Sequence, residues 1–283
     1  MHSAWVDGDG LSKLAELTAP GGVMVLSGAG ISTESGIPDY RGPTGAQRRH
    51  SPMLFQTFIA DAAARRRYWA RSYLGWRRIA HAVPNDGHVM VARLETLGLL
   101  TGVVTQNVDG LHQAAGSRLV TDLHGNLSRV GCLSCGARTS RRSLDDRLRS
   151  ANAGFMATVT AINPDGDVDL ADDQLDEFTV VDCVECGGLL KPDVIFFGEN
   201  VPPSRVQSCY ELLERSRLLL VLGSSLTVMS GYRFVRRAAT DGTPVAIVNC
   251  GATRGDNDAV LTLDAPLGAA LRGLVSTLAA VSA

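Results

Sequence analysis

A doubly wound α/β fold, with a parallel Rossmann-like sheet and a smaller second lobe, is predicted by two observations. Apolar runs of strand length alternate with helical patterns, and polar clusters at 28–32, 105–112 and 124–125 gather where open parallel sheets hold their ligands. A helical pattern over 11–18 leads into the strand Val23–Ser27, which ends in Gly28-Ala29-Gly30-Ile31-Ser32. A helix over 88–97 precedes a strand at 102–105, followed by Gln106-Asn107-Val108-Asp109-Gly110-Leu111-His112 and then His124-Gly125. Pro202 and Pro203 suit the first turn of a helix over 202–216, where a missing N–H costs little. A strand at 217–224, a helix at 231–240 closed by Gly242, a strand at 244–249 and a helix after Pro266 complete the alternation.

Two stretches interrupt this rhythm. Residues of about 44–87 read as an aromatic, arginine-rich helical module, and about 127–194 as a module with four cysteines around an acidic loop at 165–176. Both are assigned to the small lobe. The Rossmann-like lobe then takes about 10–43, 88–126 and 195–283 of a single domain, with no internal repeat or low-complexity linker.

At 283 residues and 45% hydrophobic content the chain buries a full core. A net charge of −2 gives no basic footprint, so neither nucleic acid nor a membrane is expected as a partner. The run from Arg65 to Arg78 carries Tyr68, Trp69, Tyr73 and Trp76 at helical spacing and reads as a solvated helix face. Residues 1–9 resemble neither a secretion signal nor a presequence, and a cytoplasmic protein is expected. Of 27 basic residues only Lys13 and Lys191 are lysine, a bias that GC-rich bacterial genomes produce.

Cys132-x-x-Cys135 and Cys183-x-x-Cys186 are two knuckles that together complete a tetrahedral thiolate site. Four soft ligands with no open position suit one structural zinc ion; redox dithiols or disulfides are the competing readings. Cys209 and Cys250 are expected to be ordinary buried thiols.

Gly28-Ala29-Gly30 after a strand can bring backbone N–H groups to a diphosphate. A hydride-transfer fingerprint would require glycine at position 33, which is Thr33, and then a strand ending in an acid. The chain instead enters Gly36-Ile37-Pro38-Asp39-Tyr40-Arg41-Gly42-Pro43, a loop no central strand could contain. A dinucleotide is therefore held differently here than in a dehydrogenase. Gly223-Ser224-Ser225 and Asn249 end two later strands and offer partners for phosphate and ribose.

These segments, with Pro192-Asp193-Val194-Ile195-Phe196-Phe197-Gly198-Glu199, Leu226 and Val248, resemble the sirtuins, the NAD-dependent protein deacylases, across nearly the whole chain. The segments 67–71, 163–167 and 230–234 look like the class II branch that contains mitochondrial sirtuin 4. The resemblance implies NAD between the lobes. Ala29, Gly30, Thr33, Tyr40 and Arg41 then lie around the diphosphate and nicotinamide ribose. Gly223, Ser224, Ser225 and Asn249 lie towards the adenosine, and Ala265 meets the adenine through its backbone. Gln106 and Asn107 orient the ribose, and Val108 and Asp109 receive the carboxamide. His124 is implied as general base, with Asn107 and Asp109 as its catalytic companions, whereas His112 serves packing.

The attacking atom implied by the family is the acyl-amide oxygen of the substrate lysine, which explains why no nucleophilic Ser or Cys motif is present. Imidazole suits the base because it titrates near the working pH. Acylated-lysine peptides add as a strand near Ile195 and Phe197, which line an apolar tunnel; Phe196 reads equally well as core. Tyr40 and Val108 replace a common phenylalanine and isoleucine. The tyrosine–arginine pair that grips acidic acyl chains is not found after Arg41, which argues against succinyl and malonyl groups. Deacetylation, removal of longer acyl groups and mono-ADP-ribosyl transfer stay open, as does a non-catalytic NAD or ADP-ribose sensor, against which Asn107, Asp109 and His124 argue together.

Overall fold

The computed structural model describes residues 8–40, 52–156, 159–162, 168–170 and 177–281. Its first half runs α1 (Gly8–Thr18), β1 (Val23–Ser27), a 3-10 turn (Ala29–Ser35), α2 (Phe55–Ala60), α3 (Ala62–His81), α4 (Asp86–Thr96), β2 (Leu100–Thr105), α5 (Leu111–Ala114) and β3 (Val120–Asp122). The cysteine region holds β4 (Gly125–Cys132), β5 (Arg138–Ser140), α6 (Arg141–Ala151), β6 (Val159–Ile162), β7 (Val168–Leu170) and β8 (Leu190–Val194). Then follow α7 (Pro203–Glu214), β9 (Leu218–Leu222), α8 (Met229–Asp241), β10 (Val245–Asn249), β11 (Leu261–Asp264) and α9 (Leu267–Val281).

Six parallel strands form one sheet in the order β11-β10-β9-β1-β2-β3. Counted along the chain within this sheet, that is the doubly wound order 3-2-1-4-5-6, whose switch point lies between β1 and β9. β1 is wholly buried because both faces are covered. Val23 and Val25 turn to one face, against Leu14 of α1, Val91 and Leu94 of α4 and Leu271 of α9. Met24 and Leu26 turn to the other, against Leu213 of α7 and Phe234 of α8. Each such side chain contributes about 1.5–3 kcal/mol when fully buried. A helix cap adds only about 1 kcal/mol, so packing on the sheet decides stability.

Caps instead decide where helices begin. Asp61 accepts from Ala63 N and Ala64 N at the head of α3. Asn85 and His88 form a capping box on α4. Pro203 opens α7, and Gly242, at φ 76°, ends α8 as expected. The edge strands β3 and β11 were not predicted: they are too short and too mixed in polarity to read as strands in the sequence.

In the small lobe β4 pairs antiparallel with β5 and β8, and β6 with β7. The helical and cysteine regions share one apolar cluster. Phe58, Tyr68, Trp69 and Tyr73 of α2 and α3 pack with Leu144 and Leu148 of α6, Val130 of β4 and Phe178. Arg141 is buried between the Trp69 and Trp76 rings, 5.6 and 5.3 Å from their centres, and donates to Ser72 O and Asp145. Arg67, Arg77 and Arg78 of α3 face solvent while its aromatic residues turn inward. Of the acidic loop, only 168–170 lies within the described residues. No helix among the described residues is long and apolar enough to cross a membrane.

Candidate functional site

The loops after β1 and β9 interlock at the switch point, and glycine makes this possible. A Cβ on Gly28 would lie 2.8 Å from Gly223 O, one on Gly30 2.8 Å from Gly223 Cα, and one on Gly223 2.5 Å from Ile31 N. The amides of Gly28 and Gly30 donate to Leu222 O and Gly223 O at 3.0 and 2.8 Å. These two N–H groups therefore bind the neighbouring loop, a correction to their expected role as diphosphate donors. What the glycines supply is the bare approach that shapes the crevice.

Above the interlock opens a cavity of about 520 Å³, within the range of small-molecule sites. Its sheet end is lined by Thr33, Gln106, Asn107, Asp109, Ser224, Ser225 and Asn249, and its small-lobe end by Met53, Tyr68, Ile79, Phe196 and Phe197. His124 stands on the wall between.

Ser32 is the hub of the polar end. Its hydroxyl donates to Asp109 Oδ2 at 2.7 Å and accepts from Asn107 Nδ2 at 3.0 Å. Leu111 N holds the second Asp109 oxygen at 2.9 Å, and Asn107 Nδ2 also reaches Gly28 O at 3.1 Å. Burial pushes the Asp109 carboxyl up from its ordinary range, against the lowering effect of these donors. Behind the hub, His88 and His112 lie with ring centres 5.1 Å apart. Burial pushes them down to about 4 and about 3, the second helped by its neighbour. Ser27 donates to Thr105 Oγ1, so His112 Nε2 donates to Ser27 Oγ at 2.8 Å, which leaves its buried Nδ1 as an unpartnered lone pair.

His124 is fixed at both ring nitrogens. Nδ1 lies 2.9 Å from Gln106 O, which can only accept, so Nδ1 carries the hydrogen and Nε2 the lone pair. Ser230 Oγ sits 2.8 Å from Nε2. Burial lowers the basicity of the ring, and Arg205 and Arg233 add to this despite the Gln106 bond. Gly125 next to it, at φ 85°, lets β4 pass β8, where any Cβ would meet Asp193 O at 1.9 Å.

The two knuckles converge at the far side of the small lobe. Gly136 N bonds Cys132 O and Gly187 N bonds Cys183 O, each glycine at positive φ closing the turn after its second cysteine. Cys132 and Cys186 sulfurs are 3.6 Å apart, those of Cys135 and Cys183 3.8 Å, and all four lie within 4.8 Å of one another. A tetrahedron with metal–sulfur bonds of about 2.3 Å has edges of about 3.8 Å. The set fits zinc, and the separations are too long for disulfides.

The Sir2 family model matches residues 28–230, which takes in most of the crevice lining, His124 and both knuckles. This chain belongs to the Sir2 family. It is 63% identical over 261 residues to NAD-dependent protein deacetylase 1 of Streptomyces coelicolor, covering 92% of this chain and 87% of that protein. It is 51% identical over 257 residues to the protein of the same name from Mycobacterium avium, covering 89% and 90%. Among solved structures it resembles Sir2 with a p53 peptide and NAD+, at 30% identity, TM-score 0.76 and coverage of 94% and 98%. Sir2 bound to an acetylated peptide is similar at 28% identity, TM-score 0.75 and the same coverage.

In this Sir2 chain, Gly28, Ala29, Gly30, Thr33, Tyr40, Gln106, Asn107, Val108, Asp109, His124, Ile195, Phe197, Gly223, Ser224, Ser225 and Asn249 all line the one cavity. Arg41 lies outside the described residues. Ala265 is buried off the wall, its N–H bonded to Asn249 O at 3.2 Å, and Pro266 and Leu267 line the cavity instead. Phe196 belongs to the small-lobe core, edge-on to Phe58 and Tyr68 at 5.2 and 5.1 Å, while still touching the cavity. Phe197 is half-exposed and edge-on to Tyr40 at 6.4 Å. Cys209 is buried as expected, its thiol pushed up to about 11 by desolvation. Cys250 is not: it follows the last residue of β10 and stands exposed on the cavity rim. Sequence reasoning missed Ser32 and Ser230 as contacts of Asp109 and His124, although both fall within segments it singled out.

Proposed function

We propose that this Sir2 chain is an NAD-dependent protein-lysine deacylase. One observation carries the reading: a polar end and an apolar end belong to one cavity of about 520 Å³, with a neutral imidazole among its lining residues. The deacetylase relatives support it. NAD fits the polar end by the chemistry of its donors, with hydroxyls and amides from Thr33, Ser224, Ser225 and Asn249 for phosphate and adenosine ribose, Gln106 and Asn107 for the nicotinamide ribose, and Asp109 with Val108 for the carboxamide.

When bound, NAD supplies a glycosidic carbon joined to a cationic leaving group. Ser32 keeps Asp109 and Asn107 in one orientation, so the groups that receive the carboxamide and the nicotinamide ribose are set before they arrive. Gln106 O keeps Nδ1 of His124 protonated, so the ring takes a proton only at Nε2, the atom on the cavity side. Burial and two arginines keep that ring neutral and ready as a base at neutral pH. The peptide strand is received beside Ile195, whose own N–H is held by His124 O at 2.8 Å. Glu199 accepts from Phe196 N at 2.9 Å and from buried Lys191 at 2.9 Å, which stiffens this segment. One zinc ion held by Cys132, Cys135, Cys183 and Cys186 is structural, because four thiolates leave no open position.

The acyl chain is proposed to be neutral, acetyl or longer, since among the described residues no arginine or lysine lines the cavity. Membership of the class II branch is proposed from the segments 67–71, 163–167 and 230–234, of which 163–167 lies outside the described residues. A cytoplasmic location is proposed because a four-thiolate zinc site persists where thiols stay reduced.

The deciding experiment measures nicotinamide release with and without an acetyl-lysine peptide. Release must depend on the peptide. His124→Ala should lower deacylation at least about 100-fold while NAD still binds in calorimetry. Full activity in His124→Ala would remove the imidazole from the mechanism.

A further inference from the structure

The base of the reaction has a partner that the reading above leaves unused. Ser230 lies in the first turn of α8, and its hydroxyl is 2.8 Å from His124 Nε2, 106 residues away in sequence. Because Nδ1–H is fixed on Gln106 O, Nε2 is the lone pair and Ser230 is the donor. The two contacts grip the ring from opposite sides.

The approach that brings α8 to this position is built into the neighbouring residue. A Cβ on Gly231 would lie 2.5 Å from Gln106 Oε1, so a side chain there would displace the Gln106 amide from the first turn of α8. Gln106 is itself held, its side-chain amide donating to Ser224 Oγ at 2.9 Å and to Ser27 O at 3.3 Å. One glutamine thus fixes the imidazole through its backbone, while its side chain, tied to Ser224 and Ser27, lies against Gly231 of α8. The serine, the histidine and the loop after β2 form one closed unit.

We propose that Ser230 is the positioning residue of the general base, an inference that rests on the deacylase reading. A hydroxyl suits the task because it serves both protonation states of the ring. It donates to Nε2 while the base is neutral, rotates its hydrogen off the lone pair when the substrate hydroxyl comes to donate there, and accepts from Nε2–H once that proton has been transferred. The charged groups that face the ring, Arg205 of α7 and Arg233 of α8, are both cationic. With no carboxylate among them, the serine is the group that receives the imidazolium's hydrogen. The charged state gains the stronger bond, so the hydroxyl favours the step that protonates His124.

The test compares wild type, Ser230→Ala, Ser230→Thr and His124→Ala as zinc-loaded proteins with NAD and an acetyl-lysine peptide. Single-turnover nicotinamide release, which precedes the proton transfer, is measured beside steady-state deacylation. Ser230→Ala should keep the release rate and both KM values while kcat falls about 10-fold, and Ser230→Thr should recover most of the loss. An unchanged or higher kcat in Ser230→Ala overturns the proposal, as does an equal fall in release and kcat, which would put Ser230 in the dinucleotide site or the fold. If His124→Ala is itself fully active, the deacylase mechanism fails first. If only Ser230→Ala is silent, the mechanism stands and this role for Ser230 does not.

Discussion

Gly125 and Asp193 stand in such close register that a Cβ on Gly125 would lie 1.9 Å from the Asp193 carbonyl oxygen. The glycine also holds φ 85°, where an L-residue costs about 1–2 kcal/mol. His124 immediately precedes it, and Ile195 N bonds His124 O at 2.8 Å. Gly125→Ala must therefore push β4 from β8 and move the base with it. The expected outcome is a fall in kcat/KM of about 100-fold, the scale of a misplaced catalytic group, with a lower Tm. Gly98→Ala is the control, since Gly98 has the same backbone sign but open space around it. It should lose a little stability and no activity. A fully active Gly125→Ala protein would refute the register argument.

Removing zinc should disable a site that the metal never touches. Cys132 and Cys183 belong to the same apolar cluster as Tyr68 and Phe196, which line the cavity. Cys132→Ser, or a strong chelator, is expected to release one zinc ion per chain and loosen that cluster. Metal analysis, Trp69 fluorescence and deacylation should change together. Retained activity with the zinc gone would show that the two regions are uncoupled.

Acid should unfold the protein through the pair behind the crevice. His88 and His112 are held at about 4 and about 3 in the fold, against about 6.5 for a free imidazole. The unfolded chain therefore binds protons first. Their contribution to stability is complete above pH about 6.5 and drains away as the pH falls towards 4 and then 3. The Tm of wild type should drop between pH 7 and 5. In His112→Gln the drop over this window should be shallower by about one proton's worth, and an identical slope in the variant would assign the effect to other groups.

The sheet was legible because its central strands are unbroken apolar runs, as strands covered on both faces must be. The crevice was legible because Gly28, Gln106 and Gly223 each follow such a run. β3 and β11 escaped notice for the opposite reason: three or four residues of mixed polarity at an edge carry no period. The contacts Ser32–Asp109 and Ser230–His124 arise where elements distant in sequence approach, and no local pattern encodes that approach. Cys250, read from its place after a strand, and Ala265, implied by the family resemblance, show the limit of each kind of reasoning at single-residue precision. One position past β10 an expected buried thiol stands exposed, and one position past β11 Ala265 lies buried off the cavity wall. The spacing of the cysteines was enough to bring out both knuckles, whose turns are closed locally by Gly136 and Gly187 at positive φ.

The scarcity of lysine gains a meaning from the ion pair beside the peptide segment. Of the two lysines, Lys191 has a side chain 7% exposed and neutralised by Glu199, whereas Lys13 on α1 is 58% exposed. Reactive thioesters or acyl phosphates thus meet a single open ε-amine. A deacylase that offers a single exposed lysine presents, by its own composition, very little surface on which the same modification could form.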